Sequence, residues 1–167
     1  SLANSNGSII SKTYLFDMIR PGIGLYGGSN QNNFLKKNLK PVIKLSGKII
    51  QIKTINKGEY VGYNQTFKTN KKIKIAIVGM GYADGIPRKL SNKGVVYYKN
   101  NKFKIIGRIS MDSFTIDISK SKHNLKVGNF IDLINFKYGI EIFAKQCNTI
   151  SNEILTSLGN RVERIYE

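Results

Sequence analysis

The stretch Val78-Gly-Met-Gly-Tyr-Ala-Asp-Gly-Ile-Pro-Arg88 holds residue types suited to moving a proton. The apolar run Ile73 to Val78, with Lys74 inside it, reads as a strand. It ends abruptly in Gly79, Gly81, Gly85 and Pro87, residues of turns and close approach. Tyr82, with its ionisable hydroxyl, sits in that bend beside Asp84 and ahead of Arg88. A strand that delivers one tyrosine into a glycine-rich bend can place a proton-transfer group. The same residues also describe a hydrogen-bonded tyrosine in a tight turn, and the stretch alone does not separate the two readings.

A second stretch, Asp17-Met-Ile-Arg-Pro-Gly-Ile-Gly-Leu-Tyr-Gly27, suits an anion. Pro21 fixes its own φ and removes a donor, while Gly22, Gly24, Gly27 and Gly28 leave backbone amides unobstructed. Such a loop can cradle a phosphate, and a glycine-rich connector without a ligand has the same composition. The residue types argue against a metal site: His123 stands beside Lys122 and Asn124 in a polar loop, far along the chain from Cys147. His123 reads as a solvated loop residue. No nucleophile-elbow pattern and no P-loop occurs.

The elements that must carry these stretches are mostly strands. Residues 1–33 are rich in Gly and Ser and broken by turns, and Asn38-Leu-Lys-Pro41 reads as a linker. Beyond it Val42 to Ile55 has a strand pattern, with Gly47 as the expected bend or bulge. Gly58 to Phe67 follows, then the strand that leads to Tyr82. Val95–Tyr98 and Phe103–Ile106 flank Asn100-Asn101, the expected hairpin turn. Phe114, Ile116 and Ile118 alternate onto one face, and Val127–Ile134 is a further strand that opens in a turn. Closely spaced strands of this kind predict a small barrel or sandwich, mainly β. The end is helical: Ile140, Phe143 and Ala144 have helical spacing. Ser151 is the expected N-cap of a short helix that closes at Gly159.

The chain has 167 residues, enough for one domain with a core, or one domain plus part of another. At 41% hydrophobic and 22% charged it is globular in composition. No apolar run approaches membrane-spanning length, and the start lacks a signal-peptide pattern. The single cysteine excludes an internal disulfide, which fits a reducing, cytoplasmic setting. Ser-Leu-Ala-Asn-Ser is an opening without Met, as in a fragment. The net charge of +17 points toward polyanions. The lysines, however, are scattered singly among many Asn and Ile, so compositional drift is the rival explanation.

Taken together, the stretches resemble the alanine racemase family, which uses pyridoxal 5'-phosphate. The segments that carry the resemblance stand in the family's order: Ala3-Asn-Ser5, Asp17 to Gly27, Leu39-Lys-Pro41 and Gly58 to Phe67. Gly81-Tyr-Ala-Asp-Gly-Ile-Pro-Arg88 and Gly107-Arg-Ile-Ser-Met-Asp112 follow. Thr149-Ile-Ser151, Glu153 to Gly159 and Arg161-Val-Glu-Arg-Ile-Tyr166 complete the set. The resemblance covers nearly the whole chain. It implies residues 1–36 as the tail of an N-terminal (β/α)8 barrel and 37–167 as a C-terminal β domain with short terminal helices.

The resemblance also implies roles. Racemisation of L- and D-alanine removes a proton from one face of Cα and returns it to the other, so two bases flank the carbon. Tyr82 matches one of them, supplied across a homodimer; the family's other base is the cofactor lysine. A free tyrosine has a pKa of roughly 10, so cationic neighbours are needed to favour its phenolate near neutrality. Arg20 matches the arginine that faces the cofactor's ring nitrogen, with a salt bridge to Asp17 as the alternative. Ser5, Gly22 and Ile23 match phosphate-binding positions. Met111 matches the residue whose backbone N–H meets the substrate carboxylate. Arg108 and Asp112 match the site entrance, or a structural ion pair.

Three departures stand out. Asn152 replaces a tyrosine that reaches the cofactor phosphate, and Asn64 replaces a glycine. The lysine-bearing barrel motif is absent, so the segment alone is expected to be inactive. The implied function is PLP-dependent supply of D-alanine for cell-wall peptidoglycan, with no metal, no membrane and no specific nucleic acid. Two other readings remain open. One is a basic β-barrel that binds nucleic acid, with Tyr97, Tyr98 and Phe103 as stacking platforms. The other is a racemase of broader amino-acid specificity, motivated by Asn152.

Overall fold

The computed structural model describes residues 1–29 and 39–166. The expected boundary between residues 36 and 37, and Asn38 of the expected linker, lie outside the described residues. The chain divides into two compact units, Ser1–Leu45 with Ile134–Leu155, and Ser46–Leu133 with Thr156–Glu167.

The second unit is built on a barrel. Its strands are β1 (Leu45–Ile55), β4 (Ile73–Val78), β5 (Val95–Tyr98), β6 (Asn101–Ile106), β7 (Phe114–Asp117) and β8 (Phe130–Ile134). They close in the order β1-β4-β7-β6-β5-β8. A small antiparallel hairpin of β2 (Tyr60–Val61) and β3 (Phe67–Lys68) stands apart from the ring. Isoleucine, valine and phenylalanine at alternate positions drive closure, because a barrel buries one face of every strand and leaves no open edge. Phe114, Ile116 and Ile118 are all buried, on the face that their alternation predicts. At the seam, Ile49 N–H donates to the Asn129 carbonyl and Gly128 N–H to the Ile49 carbonyl, each at 2.8 Å. Ser46 Oγ donates to Asp132 at 2.6 Å.

Three expectations about turns are corrected. The bulge in β1 is at Ile50, not Gly47: pairing passes from Ile49↔Val78 to Gln51↔Ile77. Gly47 instead makes room for β4, since a Cβ there would lie 2.6 Å from Val78 Cγ1. The β5–β6 hairpin turns at Lys99-Asn100, because Tyr98 pairs with Asn101. Lys99 takes the left-handed conformation, with φ 52°. His123 is half-buried rather than solvated, its ring set edge-on to Tyr98 at 5.6 Å.

The first unit opens with a one-turn helix, Gly7–Ile10, whose first amides donate to Asn4 Oδ1. Its longest described helix, Ile140–Cys147, buries Ile140, Phe143, Ala144 and Cys147, the i, i+3, i+4, i+7 set of one helical face. Asn148 ends it with φ 53°. The last helix, Ser151–Ser157, differs from expectation at both ends. Ser151 lies inside the first turn and is buried, while Thr149 Oγ1 meets the Glu153 carboxylate. The helix stops at Ser157, short of Gly159. Among the described residues no helix is long and apolar enough to cross a membrane.

Candidate active site

In the first unit, two segments run side by side in the same direction. Asn4 and Arg20 form a parallel bridge, and Arg20 N–H donates to the Ala3 carbonyl at 2.8 Å. That register brings Ser5 against the glycine loop. Ser5 Oγ accepts from Gly22 N–H at 2.7 Å and from Gly24 N–H at 3.1 Å. The approach depends on Gly24, where a Cβ would meet Ser5 Cβ at 3.2 Å. The short 3-10 helix Ile23–Tyr26 follows and ends at Gly27, φ 74°. A hydroxyl that accepts twice still has its own proton to donate, and this one is given to no described residue. The Ile23 N–H likewise has no described acceptor. An O–H held against the glycine loop and an N–H from the loop itself are a donor set for a phosphate oxygen. Gly22 itself is already committed to Ser5.

Arg20 lies at the other end of the same segment. Its guanidinium donates to Ser1 Oγ at 3.2 Å and to the Leu2 carbonyl at 3.5 Å. The salt bridge with Asp17 does not form. Asn152 is the exposed second residue of the helix Ser151–Ser157.

In the second unit, Tyr82 opens a 3-10 turn, Tyr82–Asp84, which β4 reaches through Gly79-Met80-Gly81. The turn is docked by its backbone. Tyr82 N–H donates to the Ser110 carbonyl and Ala83 N–H to the Met111 carbonyl, both at 3.0 Å. Gly81 permits this stacking, since a Cβ there would lie 2.3 Å from the Met111 oxygen. Asp84 tightens the turn by accepting Gly81 N–H on Oδ2 at 2.8 Å. Tyr82 is left 43% exposed, its hydroxyl bonded to no described residue, with the Arg88 guanidinium 6.0 Å from its ring centroid. Met111 is 51% exposed. Its carbonyl is used by the turn, while its N–H has no described acceptor. Docking therefore sets a phenol and a free backbone donor on adjoining segments.

Arg108 lines an open cleft of about 340 Å³ together with Tyr63, Ser110 and Ser113. Asp112 does not pair with Arg108. It accepts from Arg161 Nη2 at 2.5 Å, and Arg161 Nε also meets Asp84 Oδ1 at 3.2 Å. The hydrogen bond that Arg161 donates to Asp112, then the charge of Asp84, holds its guanidinium more firmly protonated than usual. Arg161 is the residue that sequence reasoning missed; nothing local could mark a partner 49 residues from Asp112. Asn64 adopts φ 56° and ψ 21°, the left-handed region that glycine favours and asparagine tolerates, so the turn survives the departure.

The aromatics expected to stack on nucleic acid do not form a platform: Tyr97 and Phe103 are buried in the barrel. Among the described residues no group of three or more His, Cys, Asp or Glu could hold a metal ion.

A family model described as alanine racemase, C-terminal domain, matches residues 42–166. An alanine racemase of Brucella ovis is 42% identical, the match covering 99% of this chain and 45% of that protein. A catabolic alanine racemase of Rhizobium johnstonii is 40% identical, over 99% and 44%. The crystal structure of alanine racemase from Bartonella henselae with covalently bound pyridoxal phosphate superposes with a TM-score of 0.91. It is 40% identical, over 99% of this chain and 46% of that one. The chain thus spans about half the length of the curated relatives it matches. With its closed barrel and its tyrosine turn, the chain belongs to the alanine racemase family, in the part that holds the C-terminal domain.

Proposed function

We propose that the chain is the C-terminal part of a pyridoxal-phosphate-dependent alanine racemase, which interconverts L- and D-alanine. The observation that carries the proposal is the docking of the Tyr82 turn on Ser110-Met111, which leaves the tyrosine hydroxyl and the Met111 N–H without described partners on adjoining segments. Residues 1–36 are read as the end of a (β/α)8 barrel and 37–167 as the β domain. The parallel bridge between Asn4 and Arg20 supports this, because parallel pairing belongs to such barrels.

The donor set of the first unit suits the cofactor's phosphate: Ser5 O–H and Ile23 N–H are free to donate, with the Gly22 and Gly24 amides fixing Ser5. Arg20 would donate to the ring nitrogen, and because a guanidinium keeps its proton, the nitrogen would stay unprotonated. When bound, the cofactor supplies an electron sink that acidifies the Cα–H of the amino acid. Tyr82 takes the proton from, or returns it to, the face used for L-alanine. A lysine from outside this chain serves the other face, and without it the segment is inactive. Met111 N–H would orient the substrate carboxylate, Arg108 and Asp112 would line the entrance, and Asn152 would serve the phosphate as a shorter donor than tyrosine. The active unit is a homodimer with Tyr82 serving the partner's site. The product is D-alanine for cell-wall synthesis in the cytoplasm.

The test is Tyr82→Phe in the intact enzyme. The two enantiomers have equal free energy, so kcat/KM must fall equally in both directions. The base is identified by exchange of the α-proton with deuterated solvent. Exchange from L-alanine is expected to be lost and exchange from D-alanine retained. Equal retention of both would remove Tyr82 from the mechanism.

A further inference from the structure

We propose that Arg161 is a positioning residue that ties the turn carrying Tyr82 to the loop carrying Met111, taking one carboxylate from each. The proposal rests on the racemase reading above. Arg161 Nε meets Asp84 Oδ1 at 3.2 Å, and Nη2 meets Asp112 Oδ1 at 2.5 Å. Asp84 is committed on both sides, because its other oxygen accepts Gly81 N–H at 2.8 Å. The chain of contacts therefore runs from the Gly81 backbone through Asp84 and Arg161 to Asp112, next to Met111.

The backbone docking of this turn comes from Tyr82 and Ala83, which leaves the far end of the turn to Asp84 and Gly85. Gly85 is pressed against the Ser157 carbonyl, where a Cβ would lie 2.4 Å away, and Ser157 Oγ donates to the Gly85 carbonyl at 3.2 Å. The end of the last helix and the chain that follows it thus meet the tyrosine turn twice, at Gly85 through Ser157 and at Asp84 through Arg161. An exposed ion pair by itself contributes little. Here one planar guanidinium is shared by two carboxylates of different segments, and its fixed fork sets the distance between them. The Asp84 side chain is only 12% exposed, so losing the arginine would leave a nearly buried charge without the cation that pairs with it among the described residues.

The experiment uses the intact holoenzyme with Arg161→Met, Arg161→Lys and, as reference, Tyr82→Phe. Arg161 is half exposed, so the variants should fold, and cofactor absorbance checks that they do. Arg161→Met should slow α-proton exchange from L-alanine roughly tenfold while exchange from D-alanine stays within about twofold. Arg161→Lys should fall between Arg161→Met and the unaltered enzyme, because an ammonium keeps the charge but lacks the fork. Equal slowing from both enantiomers, no slowing, or full recovery with lysine would overturn the proposal. If Tyr82→Phe itself spares exchange from L-alanine, the racemase role of Tyr82 fails. If Tyr82→Phe abolishes that exchange and Arg161→Met spares it, only the positioning role fails.

Discussion

At the scale of single residues, the candidate site depends on where a Cβ is absent. Gly81 is the sharpest case, because any side chain there meets the Met111 and Ser110 carbonyls at 2.3 and 2.4 Å. Gly81→Ala in the intact enzyme is expected to cost about 2 kcal/mol of stability, measured by denaturant unfolding. The rate of racemisation should drop roughly tenfold with the displaced tyrosine. A normal rate would show that the turn does not position Tyr82. Residues of this kind were legible in the sequence because their types are restrictive. A tyrosine among glycines, and a serine ahead of a proline-glycine loop, allow few arrangements. The partners of Asp84 and Asp112 were not legible, because an arginine's reach across the fold leaves no trace in spacing.

At the scale of elements, the periodicity of apolar residues located the strands but not their joints. The alternation in Phe114–Ile118 was right because one face meets the barrel interior. The bulge at Ile50 and the turn at Lys99-Asn100 were displaced by register, which only the partner strand determines. Lys99 in the left-handed region is a local cost accepted by the hairpin. Lys99→Gly relieves it, so a gain of about 0.5 kcal/mol in unfolding free energy is expected after the entropy of glycine is subtracted. A loss of stability would mean that the Lys99 ammonium, 5.7 Å from the Tyr98 ring, contributes more than the strain. The helix Ser151–Ser157 shows the same limit: an N-cap serine and a buried first-turn serine look alike until the preceding residues are placed.

At the scale of the whole molecule, the +17 charge is the feature that points away from a small-molecule site. In the fold the lysines are dispersed over separate elements, several above single rings: Lys48 over Phe130, Lys68 over Tyr60 and Lys137 over Tyr138. Two of the three aromatics that would stack on bases are core residues. Retention on single-stranded DNA or heparin is therefore expected to be purely electrostatic, lost by roughly 0.2 M salt and indifferent to Tyr98→Ala. Retention that survives salt, or falls with that substitution, would favour a binding role. Family and fold were legible at this scale because ordered motifs run through nearly the whole chain. The boundary expected between residues 36 and 37 lies outside the described residues.

The tyrosine turn rests on main-chain atoms of residues 110 and 111, and the half-exposed Met111 side chain takes no part in holding it. Position 111 is thus free to mutate without disturbing the docking of Tyr82. A library built there would vary an exposed side chain while leaving the main-chain support of Tyr82 in place, so the fold separates what is displayed at this position from what holds the turn.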